Sequence, residues 1–107
     1  NKKIWVTEIG CPGVRKGDKV NNWWMGKNPS EEEQAGWLRL VYSELLKDKF
    51  VEKIFWAFFR DCQGHWDNGV DYFGLVRADF SKKPSFKAYK DSFLKWKKDR
   101  IKSALAL

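Results

Sequence analysis

Long apolar runs are missing from this chain. None approaches the ~20 residues that a membrane-crossing helix needs, so no membrane partner is expected. Histidine is nearly missing as well, with His65 alone. Cysteine stops at Cys11 and Cys62, and no Cys-x-x-Cys pair occurs. That set is too thin for zinc, so no metal is expected. Two cysteines do not make a disulfide framework either. Each follows an expected strand by a few residues, and free thiols are read ahead of a bond between neighbouring strands. No charged-then-apolar signal segment opens the chain. Its first residues are already strand-like, which suggests a start cut out of something larger.

Charge of one sign is missing from most of the sequence. The net charge is +7, yet residues 1–81 hold 12 Lys/Arg and 12 Asp/Glu. The excess lies in residues 82–102, where nine Lys/Arg face only Asp91 and Asp99. A basic final helix could contact phosphates. The plainer reading is a solvated helix face whose lysines suit the C-terminal end of the helix dipole. What the chain does have is aromatic side chains, 17% of its 107 residues. They are spread over the whole length, so they are not one biased tract. The length suits one small domain with a single core.

Ile4-Trp5-Val6-Thr7-Glu8-Ile9-Gly10 reads as a buried strand that delivers a carboxylate to its end. A first strand is expected over about Lys3–Ile9. A buried carboxylate must be paired or functional, because leaving it alone costs several kcal/mol. A long connection follows to Pro29, punctuated by Gly10, Pro12, Gly13, Gly17 and Gly26. Loops of that length are usually functional or disordered. Ser30-Glu31-Glu32-Glu33 matches a capping box at a helix start. Ala35, Leu38, Val41, Tyr42, Leu45 and Leu46 continue it as an amphipathic stripe that fades near Lys47-Asp48-Lys49.

A second strand is expected over Val51–Phe59. Ile54 to Phe59 are consecutive apolar residues, which fits a strand covered on both faces of a parallel sheet. A second long loop runs through Gln63–Asp71, and Gly74–Val76 suggests a brief extended piece. A last helix starts near Pro84, a residue tolerated at the first helical position. Its expected stripe is Phe86, Tyr89, Phe93 and Trp96, with Leu94 beside it, and residues 101–107 are expected to fray. The order is β-α-β-α, an α/β arrangement with parallel strands joined by a right-handed crossover. Two strands and two helices do not close a core. The chain is therefore expected to be one segment of a larger α/β sheet or barrel, or to self-associate as a homo-oligomer.

Several segments together carry a resemblance. Lys3–Gly10 resembles the I-W-V-T-E-x-G strand of retaining glycoside hydrolases with a (β/α)8 barrel, the broad group of cellulases, xylanases and β-xylosidases. Ser30-Glu31-Glu32-Glu33-Gln34-Ala35 resembles the start of the helix after their strand seven. Val51–Asp61 resembles strand eight. Phe73-Gly74-Leu75-Val76 with Lys83-Pro84-Ser85-Phe86-Lys87-Ala88-Tyr89 resembles their closing segment. The resemblance covers nearly all of residues 3–94. It implies a TIM-barrel fragment, with residues 1–107 as the C-terminal quarter of a catalytic domain that hydrolyses β-linked sugars. The acid/base glutamate of that group lies on strand four, and nothing here corresponds to strands one to six. Retention needs two carboxylates about 5–5.5 Å apart. The chain alone is therefore expected to be inactive.

By this resemblance Glu8 is the nucleophile; without it, Glu8 would read as a strand-end glutamate bridged to a lysine. Trp56 resembles the indole flooring the sugar site, and it reads equally as a core tryptophan. Trp23, Trp24 and Trp66 lie on the two long loops, which a barrel places at its active face. They suit sugar platforms, or they cap the rim by packing on one another. Arg60 and Asp61 read as a rim pair, His65 as a solvated loop residue, and Glu31, Glu32 and Glu33 as capping acids. Asp67 and Asp71 could line a cleft, though Asn68-Gly69 says turn. No cofactor is implied, because a carboxylate pair needs none. Carbohydrate is the expected partner. A non-catalytic carbohydrate-binding or assembly fragment is the second reading. A nucleic-acid binder ranks last, since the lysines and the loop tryptophans occupy different segments.

Overall fold

The structure is a computed structural model that describes residues 2–106. Its elements are β1 (Ile4–Ile9), α1 (Glu31–Leu45), β2 (Val51–Trp56) and α2 (Pro84–Leu105). A 3-10 turn, Gly69–Tyr72, precedes α2. β1 and β2 pair in parallel as a two-stranded sheet, with Ile4 facing Val51 and Ile9 facing Trp56. The β-α-β-α order is thus present. Both strands point their C-terminal ends the same way.

α1 starts as its capping box dictates. Ser30 Oγ accepts the Glu33 amide at 3.0 Å, and Glu33 returns a carboxylate to the Ser30 amide at 2.9 Å. Two orphan N–H groups of the first turn are satisfied in this way. Ala35, Leu38 and Tyr42 then form the buried face of α1, with Leu75 and Ala88 completing the core. Ile54 and Trp56 of β2 pack against that core. Side chains alternate along a strand. Phe55 therefore faces away from the helices, where it meets Trp5 at 6.4 Å between ring centroids. That far face is open: Trp5 is 52% exposed and Phe55 48%.

Several expectations change at this level. β1 is mostly exposed rather than buried, because it has one neighbouring strand and the helices cover one face of the sheet. β2 stops at Trp56, short of Phe59. Beyond Trp56 the backbone turns to a new partner, with Phe58 N donating to Phe73 O and Leu75 N to Phe59 O. The expected extended piece at Gly74–Val76 is reduced to two isolated bridges, of Val76 with Arg60 and with Lys82. α2 buries Ser85 and Ala88, while Phe93 and Leu94 are half exposed. Phe86 and Tyr89 of the expected stripe do pack on the core, Tyr89 edge-on to Tyr42 of α1 at 5.6 Å, whereas the stripe opens at Phe93 and Leu94. α2 also stays helical to Leu105, with no break at Ile101.

The least expected part of the core is polar. Lys83 Nζ lies 3.1 Å and 3.3 Å from the two Asp61 carboxylate oxygens and donates to Tyr72 O at 2.9 Å. Asp61 also accepts the Gly74 amide at 2.8 Å. Both side chains are almost wholly buried. Burial pushes the Asp61 carboxyl up and the Lys83 ammonium down, and their mutual attraction opposes both shifts. A buried pair that loses one partner leaves an uncompensated charge. Lys83→Met should therefore destabilise the chain by about 3–5 kcal/mol in urea unfolding. Asp61→Asn added to it should recover part of that loss. Equal stability of the single and double variants would show that the pair does not act as a unit.

Candidate functional site

The site is the end of the sheet to which both strands point. Glu8 is the penultimate residue of β1 and is exposed. Its neighbour Ile9 pairs with Trp56 and accepts the Ala57 amide at 2.8 Å. Adjacent strand residues face opposite ways. The β1–β2 register shifts between Val6 and Ile9, however, so Glu8 sits inside an irregularity of the ladder, with its side chain exposed. Among the described residues, no lysine or arginine forms a salt bridge with it.

Directly after β1, the backbone comes very close to its surroundings. A Cβ on Gly10 would fall 2.2 Å from Ala57 O and 2.8 Å from the Phe73 ring. Glycine is required there for close approach rather than for a turn. That contact joins the Glu8 strand to a run of aromatic rings. Trp24 packs on Trp23 at 5.7 Å, and Trp23 meets Phe73 edge-on at 5.6 Å. Phe73 lies 6.3 Å from Phe58, which stacks on Trp66 at 5.5 Å with planes 3° apart. His65 closes the row edge-on to Trp66 at 4.3 Å. These spacings are those of favourable aromatic pairs.

The three loop tryptophans thus belong to one ladder, although two separate loops supply them. Trp24 is its most open member at 78% exposure, and Trp66 is 42% exposed. Trp23 is half-buried between its neighbours. Trp56 sits elsewhere. Its indole N–H donates to Phe73 O at 2.9 Å, and its ring packs on Trp37 at 6.0 Å on the helix side. It supports the ladder from behind, through the backbone of Phe73.

The nearby charges are mostly committed. Arg60 does not pair with Asp61, as the sequence suggested; it donates to Ala78 O and lies over the Phe80 ring. Asp61 turns inward to Lys83 instead, because a buried carboxylate needs a buried cation. Asp71 accepts the Trp66 amide at 2.9 Å and the Asp67 amide at 3.1 Å, so it holds the ladder loop in its turn. Glu31 is more than a capping acid, since Arg77 grips it with two nitrogens at 3.0 Å and 2.7 Å. Cys11 and Cys62 are both free thiols. Burial raises the Cys11 thiol to about 12. Among the described residues, no cluster of His, Cys, Asp and Glu could hold a metal ion.

Gln34 is the residue that the sequence reasoning overlooked. Its signal was present: Gln34, Leu38 and Tyr42 recur every four positions, which puts a polar side chain on the apolar face of α1. Its amide nitrogen lies 3.0 Å from Cys11 O, 3.4 Å from Tyr72 O and 3.3 Å from Gly74 O.

No protein-family profile matches this chain, and no curated protein does. Solved structures do match. The chain aligns with a family 39 glycoside hydrolase from the gut symbiont Bacteroides cellulosilyticus at 31% identity and a TM-score of 0.64. The alignment covers 86% of this chain and 16% of that one. The chain is similar to a segment of glycoside hydrolases. GH5_18 from Streptomyces cattleya, solved with GlcNAc, aligns at 18% identity and a TM-score of 0.67, over 89% of this chain and 20% of that one. A β-glucuronidase from Faecalibacterium prausnitzii aligns at 22% identity and 0.61, over 91% and 16%. This chain spans a fifth or less of the length of these structures. The last two share the fold at identities too low to say more.

The contact at Gly10 makes a direct prediction. Gly10→Ala must push backbone or Phe73 aside, and overpacking of this kind costs about 1–3 kcal/mol. The loss should appear both as a lower urea midpoint and as a weaker near-UV circular dichroism signal from the ladder. An unchanged near-UV spectrum would mean that the Gly10 contact does not hold the rings.

Proposed function

We propose that this chain is the C-terminal quarter of a retaining (β/α)8 glycoside hydrolase domain acting on β-linked sugars, with Glu8 as its nucleophile. The observation that carries the proposal is the position of Glu8: a carboxylate at a strand end, without a salt bridge among the described residues, two residues before a glycine seated against an aromatic ladder. The likeness to glycoside hydrolase structures supports it. In this reading Glu8 attacks the anomeric carbon and forms a glycosyl-enzyme. A second carboxylic acid first protonates the leaving oxygen and then, as a base, activates water. Asp61, Asp71 and Glu31 are poorly suited to that second role, since each is bound to other groups. The acid/base residue would come from strands outside this segment.

The ladder supplies what a sugar site needs beside the nucleophile. The apolar face of a pyranose packs on an aromatic ring, and an indole N–H can bond a hydroxyl. Trp24 offers the most open ring, with Trp23 packed on it and Trp66 farther along the row, beyond Phe73 and Phe58. Trp56 contributes through the Phe73 backbone. The second reading, a carbohydrate-binding fragment without chemistry, uses the same ladder and needs no second carboxylate.

Glu8→Gln keeps shape and removes the charge. In a complete form of the enzyme it should lower turnover by orders of magnitude with folding intact, and azide should restore it with inversion at the anomeric carbon. Turnover like the wild type would end the nucleophile assignment. Oligosaccharide binding without turnover in any assembled form would favour the second reading.

The open sheet has a consequence for the chain by itself. The Trp5–Phe55 face is uncovered and the two-stranded sheet has two free edges. Exposed apolar surface and free edges recruit further strands. The 107-residue chain should run above monomer mass in light scattering and hydrolyse no β-glycoside unaided. A stable monomer with activity would refute both expectations.

A further inference from the structure

Gln34 stands where three segments of the site meet. Its side chain is fully buried. Its amide nitrogen faces the carbonyls of Cys11, Tyr72 and Gly74. Those three oxygens fix the orientation of the amide, since a side-chain oxygen in that place would face only acceptors. Two N–H bonds shared among three carbonyls leave no donor spare. Among the described residues the side-chain oxygen has no hydrogen-bond partner, and it lies against Gly13, where an added Cβ would come within 2.2 Å of it.

The three carbonyls are not scattered. Cys11 is three residues beyond Glu8. Tyr72 and Gly74 flank Phe73, the ring at the middle of the ladder. One side chain from α1 therefore ties the end of the nucleophile strand to the centre of the aromatic row. Gly13 N also donates to Tyr72 O at 3.0 Å, which adds a backbone tie between the same segments. Resting on the glycosidase reading above, we infer that Gln34 is a positioning residue that sets Glu8 and the aromatic ladder at their working separation. It touches no substrate. It acts through the Cys11 and Phe73 backbones.

The test reads the position of those backbones directly. In a Cys62→Ser background, Cys11 is the only thiol, and Ellman's reagent should reach it slowly because it is buried. Gln34→Met removes the three contacts at similar volume. It should speed Cys11 labelling at least about tenfold, as local opening would, and weaken the near-UV signal of the ladder while the far-UV signal stays. Gly13→Ala, which displaces the same amide from the other side, should do likewise. The two changes combined should be no worse than either alone, because coupled sites are not additive. Leu46→Ala serves as the control: it weakens the core at the far end of α1, about three turns from Gln34, and should change neither signal under native conditions.

Slow Cys11 labelling and an intact ladder spectrum in both Gln34→Met and Gly13→Ala would overturn the inference. So would a Leu46→Ala variant that behaves like them. If Gln34→Met loses its far-UV signal, Gly13→Ala decides the question. Tryptophan fluorescence titrated with cellohexaose separates the two readings. Wild-type binding that persists unchanged in Gln34→Met refutes the positioning role and leaves the glycosidase reading in place. A wild-type chain that ignores cellohexaose counts against the free-standing carbohydrate-binding fragment, while thiol and near-UV results still judge Gln34.

Discussion

The structure depends on one buried polar junction. Lys83 and Asp61 pair with almost no exposure, and Gln34 spans three carbonyls beside them. Tyr72 O accepts from both Lys83 and Gln34, so the ion pair and the amide meet at one backbone oxygen. Five separate stretches converge there: the loop after β1, the first turn of α1, the residues after β2 that carry Asp61, the segment around Phe73 and the residue before α2. A sheet of two strands cannot organise such long loops through its own ladder. Buried polar groups with their partners in place can, because each alternative arrangement strands a donor or a charge.

The junction also explains how a small chain carries an ordered ring system at its surface. Loops of this length carry a large entropic cost. Here the cost is offset by directed contacts behind the rings. Asp71 holds the turn that presents Trp66, Asn68 caps the 3-10 turn by accepting the Val70 amide, and Trp56 anchors Phe73 from the helix side. Aromatic pairs then propagate the order outward to Trp24, the ring with least cover. The opposite face of the sheet has no such backing. Trp5, Phe55 and Lys53 pack on one another there, and no element lies over them among the described residues.

Local signals in the sequence were a good guide wherever a local cause operates. The capping box predicted the start of α1, and its stripe of Ala35, Leu38 and Tyr42 is the observed core face. Proline marked the start of α2. Failures fell where a distant partner decides. Phe58 and Phe59 continue an apolar run, yet their backbones pair with residues 73–76 instead of with a strand. Phe93 and Leu94 carry the period of a buried stripe yet lie half exposed, although Phe86 and Tyr89 of the same stripe pack on the core. Asp61 looked like a partner for its neighbour Arg60 and found Lys83 across the fold.

The candidate site divides in the same way. The sequence by itself determined that a carboxylate ends a strand, that glycine follows it and that three tryptophans lie on two long loops. Those facts are written in neighbouring residues, and so was the likeness to glycoside hydrolases. Only the tertiary structure decided that the tryptophans share one ladder with Phe58 and Phe73, and that Gly10 is small because Ala57 and Phe73 press against it. It alone turned Trp56 toward the helices and Gln34 toward three carbonyls. The reason is physical: strand and cap patterns arise from interactions within a few residues, whereas ring packing and buried hydrogen bonds join residues tens of positions apart, which no local spacing encodes.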